Sequence, residues 1–194
     1  MAANLPLRDE ILDFWFGPPG APGFGEARAE WFRKDPAFDA GLRERFGTAV
    51  ESALAGAFAE WTDPRGALAR LLLLDQFTRN SYRDSPRAYA GDARALEIAQ
   101  QVVARGDDSF LVPVERWFVY IPFEHAESMP AQQQSVALFA RLATETGIAQ
   151  QLVSAQRHAA VIERFGRFPH RNAILGRTST AQEIAFLATP GSGF

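Results

Sequence analysis

An all-α fold of antiparallel helical hairpins, seven to nine helices in a single domain spanning residues 1–194, is predicted by three observations on this chain. Apolar residues recur every three to four positions in segment after segment, the spacing that gives an α-helix one face for a core. Helix starts are marked by Asp-Pro or by Ser and Thr, and helix stops by glycine. No four-to-eight-residue run alternates apolar with polar, and no Asn-Gly or Asp-Gly hairpin turn occurs.

Taken in order, Leu7 to Phe16 gathers Ile11, Leu12, Phe14, Trp15 and Phe16 into a short apolar helix that stops at Gly17-Pro18-Pro19-Gly20. A loop rich in Gly and Pro leads to the aromatic pair Trp31-Phe32. Asp35-Pro36 then supplies an N-cap with proline at the first helical position, and Phe38, Leu42, Phe46, Val50 and Leu54 follow four apart. A second Asp-Pro, at Asp63-Pro64, opens a helix carrying Leu68, Leu71, Leu72, Leu73, Leu74 and Phe77. Its apolar surface runs almost all the way round, which predicts burial on most sides and makes it the central helix.

The next helix begins near Asp92, with Leu96, Ala99 and Val103 expected inward, and closes at Gly106. Val114, Trp117, Phe118 and Ile121 mark another, which Pro122 is expected to break or kink. A helix through Val136, Phe139 and Leu142 runs from Ser128 or Met129 to Gly147. Its successor, through Ile148, Leu152, Ala155, Ala159 and Ile162, runs to Gly166. Thr180-Ala181-Gln182-Glu183 has the form of a capping box and starts a last short helix, with Ile184 and Leu187 expected on its inner face.

Composition narrows the function classes. The chain is 47% apolar and 22% charged, with a formal charge of −3, so it reads as a soluble globular protein with no nucleic acid as its main partner. It has no cysteine, which removes disulfides, thiol nucleophiles and thiolate metal sites. No apolar run reaches the roughly 20 residues of a membrane span, and the start turns acidic where a signal peptide would turn apolar. These features predict a cytoplasmic protein without a membrane partner. Lys34 is the one lysine against 19 arginines, a bias that lowers the weight of any single arginine. Even so, Arg157 to Arg177 holds five arginines and one acid, Glu163, a local positive patch.

Three segments combine polar groups with apolar anchors. Asp75 lies among leucines on the central helix, where a lone carboxylate is costly, and Arg79, one turn on, is its expected partner. The pair reads either as a buried structural link or, with Gln76 and Asn80, as one wall of a polar pocket. His125 and Glu127 follow the proline; their i, i+2 spacing does not share a helix face, which weakens a chelate against a bridging role. His158 sits at the edge of an apolar face and reads as a packing residue. Arg167, His170, Arg171, Asn172 and Arg177 form the densest cluster, suited to hold a carboxylate or phosphate just ahead of the last helix, or else to neutralise Asp75, Glu124 or Glu127. A zinc site would require His125, His158 and His170 to converge, and neither a metal nor any other cofactor is expected. Gly-x-Ser-x-Gly, Gly-x-Gly-x-x-Gly, the phosphate-binding Gly-x-x-x-x-Gly-Lys and His-Glu-x-x-His are all missing, so enzyme status is left open.

The stretches Ile11-Leu12-Asp13-Phe14-Trp15-Phe16-Gly17, Trp31-Phe32, Leu74-Asp75-Gln76-Phe77-Thr78-Arg79-Asn80, His125-Ala126-Glu127-Ser128 and Phe165-Gly166-Arg167-Phe168-Pro169-His170-Arg171-Asn172 are similar to the motifs of the bacterial domain-of-unknown-function family 924. The resemblance covers nearly the whole chain. It implies a tetratricopeptide-repeat-like, right-handed helical stack and carries over no functional residue.

The leading expectation is therefore a pocket for a small anionic ligand, built by Asp75–Asn80, His125–Glu127 and Arg167–Arg177. Its candidate ligand-binding residues are Asp75, Arg79, Asn80, His125, Glu127, Arg167, His170, Arg171, Asn172 and Arg177. His125 or His170 is the candidate acid–base group, because an unperturbed imidazole titrates near pH 6.5. The rival is a protein-interaction scaffold with a protein or peptide partner, whose polar cluster is a structural ion-pair core.

Overall fold

The computed structural model describes residues 5–193, and every regular element in them is helical. The chain divides into two compact units. The first comprises the residues up to Arg83 and Arg87–Pro122; the second comprises Asp84–Pro86 and everything from Phe123 on. No helix of the described residues is long and apolar enough to cross a membrane.

In the first unit, α1 (Leu5–Phe16) buries Ile11, Leu12, Trp15 and Phe16 and ends at Gly17 with φ +83°. Glycine takes that left-handed φ without strain, and Arg28 packs close beside it, donating to the Phe14 carbonyl at the helix end. α2 (Pro36–Leu54) starts as expected, the Asp35 carboxylate accepting from the N–H groups of Ala37 and Phe38, and buries Leu42, Phe46 and Val50. The aromatic motif of α1 is a packing device. Trp15 stacks on Trp31 at 6.0 Å, meets Phe77 at 5.3 Å and Phe118 edge-on at 5.6 Å, and its carbonyl accepts from Trp31 Nε1 at 3.0 Å.

The central helix is confirmed and is less regular than expected. α3 (Pro64–Leu71), capped by Asp63, passes into a π-helical segment, Leu72–Phe77, and then into α4 (Thr78–Ser81). These three run on as one rod, and all six residues of the wide segment are buried. The wider turn displaces carbonyls from their usual partners, and the Thr78 hydroxyl donates to both Leu73 and Leu74 oxygens. The segment is also where another backbone comes closest. A Cβ on Gly91 would lie 2.1 Å from the Leu74 oxygen, so only glycine fits there. α5 (Asp92–Arg105) follows directly and ends at Gly106 with φ +71°, as expected. It buries Ala95, Ile98, Ala99 and Val102; Leu96 and Val103 sit at the margin, so its inner face is rotated from the sequence expectation.

α6 (Pro113–His125) is not broken by Pro122; the helix continues through it to His125. Proline removes one donor, but only the last turn remains to be built, and that turn is held from outside. Gln132 Nε2 donates to the Glu124 and Ala126 oxygens at 2.7 Å each. In the second unit, α7 (Met129–Thr146) and α8 (Gln150–Phe165) form an antiparallel hairpin joined through Gly147 in the left-handed conformation. A short 3₁₀ turn, Pro169–Arg171, and α9 (Ala181–Leu187) complete the unit around Val161, Ile162 and Phe168.

α9 corrects one expectation. Its capping box is present, but Ile184 and Leu187 are exposed, and Glu183 and Phe186 face inward instead, Phe186 packing on Phe165 at 5.1 Å. Glu183 turns inward because Arg167 waits there for its carboxylate, a long-range partner that helical periodicity does not register.

Candidate functional site

The candidate residues of the first unit are held by one another. The Arg79 Nη1 donates to Asp75 Oδ1 at 2.8 Å and to the Asp75 carbonyl at 2.9 Å, and the guanidinium fork also closes on both Asp92 oxygens at 2.9 and 3.0 Å. Gln76 Nε2 donates to the second Asp75 oxygen at 2.6 Å. Burial works to discharge Arg79, and the Asp75 and Asp92 carboxylates outweigh it, so the guanidinium is held above its ordinary value. Asn80 Nδ2 meets Asp39 Oδ1 at 2.7 Å, and Arg83 grips the same carboxylate. Asp75–Asn80 thus ties the π-helical segment to α2 and α5. The i, i+4 pair was legible in the sequence, whereas Asp92 and Asp39 were not.

In the second unit, Arg167 and Arg177 each close on an acid. Arg167 sends Nε and Nη2 to Glu183 at 2.7 and 2.8 Å. With the Thr180 N–H also donating to it, the Arg167 fork holds the Glu183 carboxyl down to about 2. Arg177 meets Glu127 with both terminal nitrogens. Burial would raise the Glu127 carboxyl; Arg177 and the Phe168 N–H overcome it and hold it below its ordinary value. Asn172, fully buried, donates to the Ser179 hydroxyl at 3.0 Å.

The imidazoles gather elsewhere. Phe168 is fully buried, and around its ring stand the His158 ring edge-on at 5.5 Å, the His170 ring at 5.6 Å and the Arg171 guanidinium at 4.5 Å. The His125 ring lies 6.4 Å from that of His158, so all three histidines of the chain meet in one region. Burial pushes His170 down to about 4, with the positive charge of Arg171 adding to it. At neutral pH His170 is therefore a neutral imidazole rather than a group titrating near 6.5. His125 and Glu127, neighbours in sequence, go separate ways, the first toward His158 and the second toward Arg177. Among the described residues no group of three His, Cys, Asp or Glu side chains is arranged to hold a metal ion.

Two participants were not among the sequence candidates for the site. Glu124, 5% exposed at the end of α6, accepts from the Ser154 hydroxyl at 2.8 Å and faces His158 Nδ1 at 2.9 Å. His158 is equally buried. A buried acid next to a sequence histidine was the available signal for Glu124; no local pattern pointed to its partner on α8.

The family model described as a bacterial protein of unknown function, DUF924, matches residues 11–191. No curated protein matches the chain. Among solved structures the chain is similar to that of a protein of unknown function, ATU0120, from Agrobacterium tumefaciens. The two share 36% identity and superpose with a TM-score of 0.84, over 95% of this chain and 98% of that one.

Proposed function

The chain belongs to the bacterial DUF924 family of proteins of unknown function, and we propose that it binds a small anion, a carboxylate or phosphate, at the histidine and arginine cluster around Phe168. The observation that carries this reading is the convergence of His158, His170 and Arg171 on one buried aromatic ring within a single unit, with the His125 ring beside that of His158. A guanidinium is a planar fork matched to a carboxylate or phosphate, and in a buried, low-dielectric setting a charge-assisted hydrogen bond is at its strongest. Of the other candidates, we read Asp75, Arg79 and Asn80 as structural, because their polar groups bond to one another and to Asp92 and Asp39. Glu127, Arg167 and Arg177 we read as the supports that hold Phe168 and α9 in place, with Asn172 tied to Ser179 beside them.

The reading is tested by titrating inorganic phosphate, sulfate and acetate into the full-length protein, followed by calorimetry and by histidine NMR resonances. Saturable binding by at least one anion, weakened tenfold or more in Arg171→Gln with the fold intact, is the expected result. Absence of saturable binding by all three overturns it. An anion next to His170 raises that imidazole's pKa above about 4, so binding takes up a proton and the affinity of an anion that keeps its charge grows as pH falls toward 4.

The rival reading, a tetratricopeptide-repeat-like scaffold for a protein partner, draws on the exposed Ile148, Val153 and Ile184. Single exposed apolar side chains are ordinary on a globular surface, so that support is weaker than the convergence of the imidazoles.

A further inference from the structure

Beside the π-helical segment the first unit carries a cavity of about 260 Å³. Its lining runs from Leu74 and Gly91, both buried, past the half-buried Leu54 and Arg94 to Ala93 and Glu97, which are exposed, so the cavity opens to solvent. Gly91 and Ala93 bring nothing larger than a methyl group to it, and the space on the α5 side stays unfilled.

Two side chains of opposite charge line it without meeting. Arg94 and Glu97 lie one turn apart on α5, a spacing at which ion pairs commonly form. Here Arg94 Nη1 donates instead to the Ala53 and Leu54 carbonyls at 2.8 and 3.0 Å, at the end of α2, and its Nε and Nη2 bond to nothing among the described residues. Glu97 has no ion-pair or hydrogen-bonding partner among them either. Arg70, one turn before Leu74 on the central rod, is a second cation without an ion pair among the described residues. Burial, and after it the positive charge of Arg94, hold the Arg70 guanidinium below its ordinary value, with Glu60 opposing. Two guanidiniums that repel each other and share no carboxylate are a place where a bound anion stabilises both.

We propose that this cavity binds a small zwitterion, an α-amino acid with a short apolar side chain, its carboxylate on Arg94 and its ammonium on Glu97. Each part of that ligand answers a part of the lining. The Nε and Nη2 of Arg94 form one edge of a planar fork, which matches a carboxylate. Leu54, Leu74 and Ala93 offer apolar surface to the side chain. Drug-sized ligands take pockets of roughly 300–1,000 Å³, so the volume here selects something smaller. A simple anion would face Glu97 with a like charge, and a simple cation would do the same to Arg94; a molecule that carries both charges satisfies both. The site lies wholly in the first unit and does not rest on the anion reading at Phe168.

The test is a titration of the amino acids glycine, alanine, valine and leucine into the full-length protein, followed by calorimetry and by the backbone amide resonances of Gly91 and Ala93. Acetate and methylammonium serve as singly charged controls. At least one amino acid should bind saturably and move both resonances, and the two controls should bind there at least tenfold more weakly. Arg94 also holds the end of α2, so the deciding variants are Glu97→Gln and Ala93→Leu, at exposed positions. The first removes the counter-charge and the second fills the space. Each should weaken binding tenfold or more with the helical circular dichroism unchanged, whereas Arg171→Gln should leave binding as it was. No saturable binding by any of the four amino acids, binding that leaves the Gly91 and Ala93 resonances in place, equal binding of acetate or methylammonium, or a loss smaller than tenfold in either variant each overturns the proposal. None of these outcomes bears on anion binding at Phe168, which Arg171→Gln tests separately.

Discussion

Arg177 and Glu127 take hold of the same residue from both sides: Glu127 accepts the Phe168 N–H at 2.8 Å, Arg177 donates to the Phe168 carbonyl at 3.0 Å, and the two side chains close on each other at 2.7 and 3.0 Å. The backbone of Phe168 is thereby fixed, and with it the ring about which the imidazoles stand. The pair lies toward the surface, so its net worth is modest. Glu127→Ala and Arg177→Ala should each cost about 1 kcal/mol in urea unfolding, and the double variant should cost less than the two together. Both should also shift the His158 and His170 ring resonances. Unmoved resonances would show that the clamp does not position the cluster.

His170 makes stability depend on pH in a defined window. Its folded value of about 4 lies below the unfolded 6.5, so the unfolded chain binds more protons between those limits. Stability from this group is complete above pH 6.5 and is lost as pH falls toward 4, by at most about 3 kcal/mol. His170→Asn should flatten the stability curve over that window, measured by chemical unfolding at half-unit intervals.

Glu183 acts further into acid. Its carboxyl is held at about 2 by Arg167 and the Thr180 N–H, against 4.5 for the free side chain. The contribution is present above 4.5 and disappears as pH falls through about 2. Glu183→Gln should lower stability at neutral pH and remove that part of the acid dependence. Thr180→Ala, which takes away the other half of the capping box, should cost about 1 kcal/mol.

Gly91→Ala is expected to be among the most damaging single changes in the first unit. The added Cβ would stand 2.1 Å from the Leu74 oxygen and 2.8 Å from its carbonyl carbon, and neither is a flexible side chain that can swing away. The π-helical segment and the start of α5 would have to separate. A loss on the order of 3 kcal/mol in urea unfolding is expected, well beyond the cost of replacing glycine in an open helix.

The sequence by itself determined the all-α class and the positions of most helix ends. Those signals are local: an Asp35 or Asp63 carboxylate reaches N–H groups within three residues, and Gly106, Gly147 and Gly166 each stop a helix by taking a φ that L side chains avoid. The Asp75–Arg79 pair was legible for the same reason, being one helical turn. Tertiary structure alone decided which arginine meets which acid. Any of the 19 arginines could satisfy a given carboxylate as far as sequence is concerned, and the choice of Glu183 for Arg167, or of Glu127 for Arg177 across 50 residues, is made by where the helices pack. The same holds for α9, which is too short and too evenly apolar for periodicity to choose its inner face. It holds for Glu124 and His158 as well, whose partnership exists only because the end of α6 lies beside α8.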